Sequence, residues 1–396
     1  MSKAREVVIV SGTRTAIGAY GGSLKDIAAV DMAASCVKEA ISRAGITGDD
    51  VGHTVFGNVV HSDTRDMYLA RYAAIKGGIP VEAPALTVNR LCGSGLQAIV
   101  SAAQSILLGD TDVAVAGGAE SMSRVPYWSP DTRWGQRMGD TQMIDPMVGA
   151  LHDPFDGNHM GITAENIAEK WGISREEQDA LAVESHQRAV RAIEAGVFKE
   201  QILAIEIQGR KGVTIVDTDE NPRAETSLES LAKMRPAFKK DGVVTAGNAS
   251  SLNDAAAAVV LMESQAAESR GLKPMARLVG YSHAGVAPEY MGIGPVPAMK
   301  KLLNKTGLTI DDIDLFELNE AFAVQALACA RDLDLPSEKV NPNGSGISLG
   351  HPIGATGAIL MVKALYELQR TNGRYAAITL CIGGGQGIAA IIERIE

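Results

Sequence analysis

The sequence predicts an α/β fold built of two similar halves packed on each other and interrupted by one insertion. Three observations predict it. Short β-branched runs alternate with Ala-rich helical stretches along 396 residues, as in EVVIVS (6–11), DMAASCVKEAISRAG (31–45) and DVAVAGG (112–118), the pattern of strands and their covering helices. Continuous apolar strands such as VAVAG read as sheets covered on both faces. One order of features also recurs: a loop with a reactive residue, a glycine turn, an apolar helix, then an Ala/Val strand ending in glycines, at 92–118 and again at 351–385. Such repetition is the mark of paired structural units.

The elements follow in order. MSKAREVVIVSGTRT has no apolar signal core and passes straight into a strand. With no stretch of 18 uncharged apolar residues expected, the reading is a cytoplasmic protein without a membrane span. ALTVN (85–89) is a strand, and an apolar helix starts near Cys92. From Glu120 to Asn248 the pattern changes. SRVPYWSPDTRWGQRMGD reads as an excursion, and 163–196 as two surface helices with Thr163 and Ser174 as N-caps. EIQGRKGVTIVDTDE reads as a small hairpin with Gly209 and Gly212 near its turn. The α/β pattern resumes at NASSLNDAAAAVVLME (248–263) and continues through 276–282, 297–307, 312–333 and 373–380.

Composition narrows the function classes. The net charge of −10 argues against nucleic acid as the main partner, while leaving room for a small anion held by a local basic patch. The four cysteines, Cys36, Cys92, Cys329 and Cys381, are far apart with no C-x-x-C pair. A disulfide framework or metal site is not expected, and lone thiols fit a reducing compartment.

Four positions carry chemistry. Cys92 lies between a strand and a helix in RLCGSG, where helix N–H groups favour a thiolate and Gly93 and Gly95 leave room for a ligand. A buried helix-start cysteine is the plain alternative. His351, bracketed by Gly350 and Pro352, is fixed by its loop and is of the type that activates thiols; a structural histidine is the competing reading. Cys381 ends an apolar strand before three glycines, as a general acid/base or as a buried strand cysteine. Asn319 stands at a strand-to-helix switch, as a site residue or a helix cap. All four fall on strand-end loops, where α/β frames build their sites.

The blocks NRLCGSGLQA, GGAESMS, HMGITAEN, TAGNASSLNDAAAA, NEAFA, GHPIGATGA and CIGGGQG, in this order along the chain, resemble the thiolases, the acetyl-CoA acetyltransferase and 3-ketoacyl-CoA thiolase family. NPNGSGISLGHPIGATG with MGIGPVPA is similar to the bacterial biosynthetic-type β-ketothiolases of broad chain length. The resemblance implies a thiolase-like αβαβα layered core. Its N-terminal half would be 1–119 plus 249–271, its CoA-binding loop domain 120–248 with a tetramerisation loop near 124–142, and its C-terminal half 272–396. It implies that Cys92 carries the acyl group and His351 activates it, while Cys381 moves the α-proton. Asn319 would hold a water that forms one oxyanion hole with His351, and the N–H groups of Cys92 and Gly383 the other. Leu151, His159, Met160, Arg223, Ser230, Phe238, Ala246, Ala249, Ser250 and Leu252 fall where the family contacts CoA; Met291 and Phe322 line the acyl pocket. No permanent cofactor is implied. Acetyl-CoA, acyl-CoA and CoA are substrates, and a homotetramer is the assembly. Local cations for CoA would come from Arg210, Lys211 and Arg223.

Two positions depart from the family pattern. ASSLND has Ser251 where glycine is usual, beside the pantetheine channel, and PRAE (222–225) is less basic than usual. The competing functions are a degradative 3-ketoacyl-CoA thiolase, a non-catalytic acyl-CoA-binding relative, and another enzyme on the same scaffold such as a ketoacyl synthase. The retention of Cys92, Asn319, His351 and Cys381, with the CIGGG loop, favours thiolase chemistry.

Overall fold

The computed structural model describes residues 5–210 and 212–395. The N-terminal half contributes β1 (Val7–Thr15), α1 (Ala29–Arg43), β2 (His53–Gly57), α2 (Leu69–Lys76), β3 (Ala85–Val88), α3 (Ser94–Leu108) and β4 (Val113–Ser121). The excursion contains α4 (Met160–Trp171), α5 (Arg175–Glu194) and the hairpin β5 (Ile205–Gly209) and β6 (Gly212–Val216). The chain then forms β7 (Asn253–Glu263), β8 (Ala276–Gly285), α6 (Pro295–Thr306), β9 (Leu315–Leu318), α7 (Ala323–Asp332), α8 (Thr356–Thr371), β10 (Tyr375–Ile382) and β11 (Gln386–Arg394).

The two halves repeat one topology. In the first, β3, β2 and β4 run parallel, and β7 and then β1 complete the sheet antiparallel. In the second, a bridge at Val340 and the strands β9 and β10 run parallel, and β11 and β8 follow antiparallel. The sheets meet at a narrow seam of β1 on β8, where Val8 faces Arg277 and Ile9 faces Ala276.

Neighbouring residues of each strand enter different cores, which is why the strands are continuously apolar. Val55, Ala114, Val259 and Leu261 join Ile378, Leu380 and Ile392 around the central helices α3 and α8. Their neighbours Phe56, Val115, Val260 and Met262 pack on α1 and α2. On the other side Phe316, Leu318, Ala377 and Ile391 pack on α6 and α7. The result is five layers, αβαβα, with α3 and α8 in the middle.

That placement corrects one expectation. The window Leu91–Leu108 carries no charge and is long and apolar enough, by composition, to cross a membrane. Here it supplies the buried face of Leu96, Ile99, Val100 and Ile106 to the central layer.

The excursion leaves the sheet at Ser121 and returns at Asp254, its partner across β4 and β7. It is tied to β1 by a buried pair, with Arg14 donating to both carboxylate oxygens of Asp219 at 2.7 and 2.9 Å and to Gln201 at 2.8 Å. Ser174 caps α5 in a reciprocal box with Glu177, as expected. Thr163 is not a cap. It lies inside α4, buried, with its hydroxyl donating to Met160 O, and His159 caps the helix instead by accepting from the Gly161 N–H. The hairpin forms as expected, with Gly209 opposite Gly212.

Candidate active site

The central helices explain how residues 259 positions apart in the chain come together. Cys92 stands just before α3 and His351 just before α8. The two helix starts touch. A side chain on Gly95 would place its Cβ 2.7 Å from the backbone nitrogen of Ala358, and one on Gly357 would overlap the backbone of Leu96. The space at Gly93 is filled by Ile382, 2.6 Å from such a Cβ. The glycines after Cys92 therefore admit protein, not a ligand as the sequence suggested.

The turn at Cys92 is held under strain. Leu91 has a left-handed backbone, φ 43°, which leucine rarely adopts. Three contacts enforce it: Leu91 N–H donates to Asn89 Oδ1 (2.9 Å), Arg90 N–H to Ser94 Oγ (2.8 Å), and Ser94 Oγ to Leu91 O (2.7 Å). Strain of this kind persists where neighbours over-determine it, often at a reactive residue.

His351 is buried. Its backbone N–H donates to Asn253 Oδ1 (2.9 Å), and its Nδ1 lies 2.7 Å from Thr356 Oγ1. Its loop is fastened from two sides. Glu120, at the end of β4, accepts from the N–H of Gly354 (2.8 Å), Val59 (3.0 Å) and Val60 (3.1 Å). Lys363 on α8 donates to Gly344 O and to Glu317 on β9, both at 2.7 Å. Asn319 follows β9 directly, with its Nδ2 3.5 and 3.4 Å from the two ring nitrogens of His351. It is not the cap of α7; Phe322 occupies that position, without a side-chain bond. Asn319 Oδ1 is buried with no partner among the described residues.

Burial sets the proton affinities. It pushes the Cys92 thiol up to about 11, opposed by the N–H groups of Gly383 and Cys92 and reinforced by the Glu120 carboxylate. Burial alone lowers His351 to about 4. Burial, then the neighbouring Cys92, raises Cys381 well above the usual thiol range. At neutral pH the site thus holds two protonated thiols and a neutral imidazole. The thiolate expected at the helix N-terminus is not the resting form, because desolvation outweighs the N–H groups.

A cavity of about 90 Å³ gathers the predicted residues. Cys92, Leu151, His159, Met160, Phe238, Ala249, Ser250, Leu252, Met291, Phe322, His351, Cys381 and Gly383 all line it. One wall is aromatic, with His159 stacked on Phe238 (4.6 Å between centroids) and Phe238 edge-on to Phe322 (6.1 Å). A second cavity, of about 230 Å³, is lined by Arg223, Ser230, Ala246 and Ala249. Ala249 and Ser251 line both cavities. Arg210 sits exposed at the hairpin turn and reaches neither, while Lys211 lies outside the described residues. A wider cavity, of about 770 Å³ around Val59–Thr64, Trp128 and Ile144, is lined by none of Cys92, Asn319, His351 and Cys381.

Sequence reasoning missed several contributors. His186 lines the second cavity, its Nδ1 accepting from the Arg223 N–H at 3.2 Å. Its signal, a histidine on a helix face, does not stand out from the seven in the chain. Glu120 and Thr356 were within quoted motifs but carried no separate signal.

Comparison with known proteins decides the family. Residues 7–265 match the model of the thiolase N-terminal domain and 272–394 that of the thiolase C-terminal domain. The chain belongs to the thiolase family. This thiolase is 64% identical to beta-ketothiolase BktB of Cupriavidus necator over 392 residues, covering 99% of this chain and 100% of that one. Among solved structures, it matches acetyl-CoA acetyltransferase of Bacillus anthracis with a TM-score of 0.97 and 46% identity, covering 100% of both chains. It also matches human mitochondrial 3-ketoacyl-CoA thiolase in complex with CoA, with a TM-score of 0.96 and 45% identity over 99% of each chain.

Proposed function

We propose that this thiolase is an acetyl-CoA C-acyltransferase. It joins acetyl-CoA to acetyl-CoA or a short acyl-CoA, giving a 3-ketoacyl-CoA and free CoA, and runs the reverse thiolysis through an acyl group on Cys92. The observation that carries this reading is the convergence of two thiols, one imidazole and the Gly383 N–H on one small apolar cavity.

The chemistry follows from the groups present. In the first step Cys92 Sγ attacks the thioester carbon, its proton passes to His351, and the departing CoA sulfur takes that proton. The oxyanion accepts from the N–H groups of Cys92 and Gly383, which already face Cys92 Sγ. In the second step Cys381 passes its proton to His351 and, as thiolate, removes an α-proton from acetyl-CoA. The carbanion attacks the acyl carbon, and Cys92 leaves as a thiolate that takes the proton back from His351, so both thiols end protonated. Asn319 and the protonated His351 stabilise the enolate oxygen. Arg223 and Ser230 in the outer cavity receive the nucleotide end of CoA, the junction at Ala249 and Ser250 the pantetheine arm, and Met291 and Phe322 the acyl chain. Residues 120–248 act as the CoA-binding domain, inserted between the halves 1–119 plus 249–271 and 272–396. A cytoplasmic homotetramer joined near 124–142 fits the exposure of Trp134 and Met138, each 90%.

The test is thiolysis of acetoacetyl-, 3-ketovaleryl- and 3-ketohexanoyl-CoA by purified enzyme and CoA. Comparable kcat/KM across the three is the expected result. Activity confined to acetoacetyl-CoA would remove the broad chain length, and turnover of none would remove the reading.

A further inference from the structure

Thr356 is the first residue of α8 and is 2% exposed. Its hydroxyl is in contact with two groups, His351 Nδ1 at 2.7 Å and Pro352 O at 2.9 Å. A hydroxyl has one proton, and a carbonyl can only accept. With the proton on Pro352 O, the Thr356 oxygen presents a lone pair to Nδ1, which must then carry hydrogen.

The opposite arrangement has the hydroxyl donating to Nδ1. Pro352 O would still accept from the N–H of Ala355 (2.8 Å) and Thr356 (3.0 Å). The imidazole proton would then sit on Nε2, and the Thr356 and Pro352 oxygens would stand 2.9 Å apart with no hydrogen between them, which is the costly choice. Asn319 Nδ2 lies 3.5 Å from Nδ1 and 3.4 Å from Nε2 and so does not choose between the two arrangements. With Nδ1 protonated, the Pro352 contact keeps its hydrogen and Nε2 keeps its lone pair.

We propose that Thr356 is a positioning residue that selects the His351 tautomer, accepting the Nδ1 proton so that Nε2 is free to take the proton of Cys92. The hydroxyl also steadies the imidazolium formed during acyl transfer, since a hydrogen bond from a charged donor is stronger than one from a neutral donor. The assignment rests on the reading of His351 as the base for Cys92.

The experiment uses full-length Thr356→Val, which keeps the shape and removes the hydroxyl, and Thr356→Ser, which keeps the hydroxyl. The rate of Cys92 acetylation by acetyl-CoA is read by mass spectrometry in a single turnover, across pH. Thr356→Val is expected to slow acetylation about 10- to 100-fold, the usual range for removing a group that orients another, with KM for acetoacetyl-CoA in steady-state thiolysis changed less than about threefold. Thr356→Ser is expected to recover to within about threefold of wild type.

The pH profile separates the two tautomers. The other titratable groups around the loop and its cavity are the thiols of Cys92 and Cys381, the imidazole of His159, Glu120 behind Gly354 and Lys363 at Gly344, the same in each variant. Losing an acceptor of Nδ1–H weakens the imidazolium, so the acidic limb of Thr356→Val moves to lower pH. Losing a donor to Nδ1 would move it to higher pH. A limb moved upward, a Val variant at wild-type rate, or a folded but inactive Ser variant each overturns the proposal. His351→Ala acetylating at the wild-type rate would instead overturn the base reading beneath it.

Discussion

The resting state of Cys92 is the most exposed consequence of this site. Two effects oppose each other there. The helix start and nearby N–H groups favour a thiolate by about 0.3–1 kcal/mol, up to about 2 in a favourable geometry. Desolvation works against it, and the net result lifts the thiol from 9.0 to about 11, which is about 2.7 kcal/mol in favour of the protonated form. His351, lowered to about 4 by burial, is too weak a base at rest to hold the proton. At pH 7 about one Cys92 in ten thousand is ionised. The proton therefore moves only when a thioester is in place to receive the sulfur. The assay is alkylation by iodoacetamide between pH 6 and 10, with Cys92→Ser as the background control. The logarithm of the Cys92 rate is expected to rise by one per pH unit with no plateau below pH 9. Thiolate absorbance near 240 nm is expected to be absent at pH 7. A plateau with an apparent pKa of 6 to 7 would mean a resting thiolate–imidazolium pair, and the argument from burial would be refuted.

Further outcomes follow from the same geometry. Cys381→Ser is expected to leave acetylation of Cys92 intact while condensation falls at least about 100-fold; loss of both would merge the two roles. Gly95→Ala drives a Cβ against the backbone of Ala358, so a loss of about 1–3 kcal/mol in stability and a fall in kcat larger than any change in KM are expected from melting and kinetics. Lys363→Met leaves Glu317 buried without its partner, at a cost of about 3–5 kcal/mol. Burial holds Glu317 at about 7 in the folded chain, above its ordinary 4.5. Its contribution is therefore present at low pH and lost as pH rises through 7, and with Lys363 gone the melting temperature should fall more at pH 8 than at pH 5. Equal falls at both would show that Glu317 is not the group responsible. Ser251→Gly removes a hydroxyl held by Asn253 Oδ1 (3.0 Å) at the junction of the two cavities. It is expected to lower KM for CoA at least about twofold with kcat nearly unchanged, the sign of relieved crowding with equal effect on ground and transition states; an unchanged KM would place Ser251 off the path of the arm.

The alternation that splits Val55 from Phe56 and Val259 from Val260 between two cores is written in each strand, so the layered frame was legible. So was the recurrence that puts Cys92 and His351 before the two central helices. Less legible was anything decided by who stands opposite. Thr163 has the chemistry of a cap, yet His159 takes the role because α4 starts three residues earlier. Gly93 and Gly95 announced close approach without saying by what; the answer, Ile382 and the start of α8 at Ala358, is 289 and 263 residues away. The raised thiol of Cys92 was unreadable for the same reason, because desolvation is a property of the assembled cavity.

The repeat also explains why neither half could form this site alone. The strands β4 and β10 occupy equivalent places, and each serves the opposite half. Glu120, at the end of β4, holds Gly354 in the loop that carries His351. The Gly383 N–H, just past β10, faces the sulfur of Cys92 on the first half. Each of these loops thus hangs from its own central helix and is pinned by the other half's strand end. A displacement between halves would move His351 and Cys92 apart and unpin both loops at once. That arrangement accounts for the bare backbone contact at Gly95 and Gly357: the seam β1–β8 is only two residue pairs wide, so the register between halves is set by the helix starts, beside Cys92 and His351.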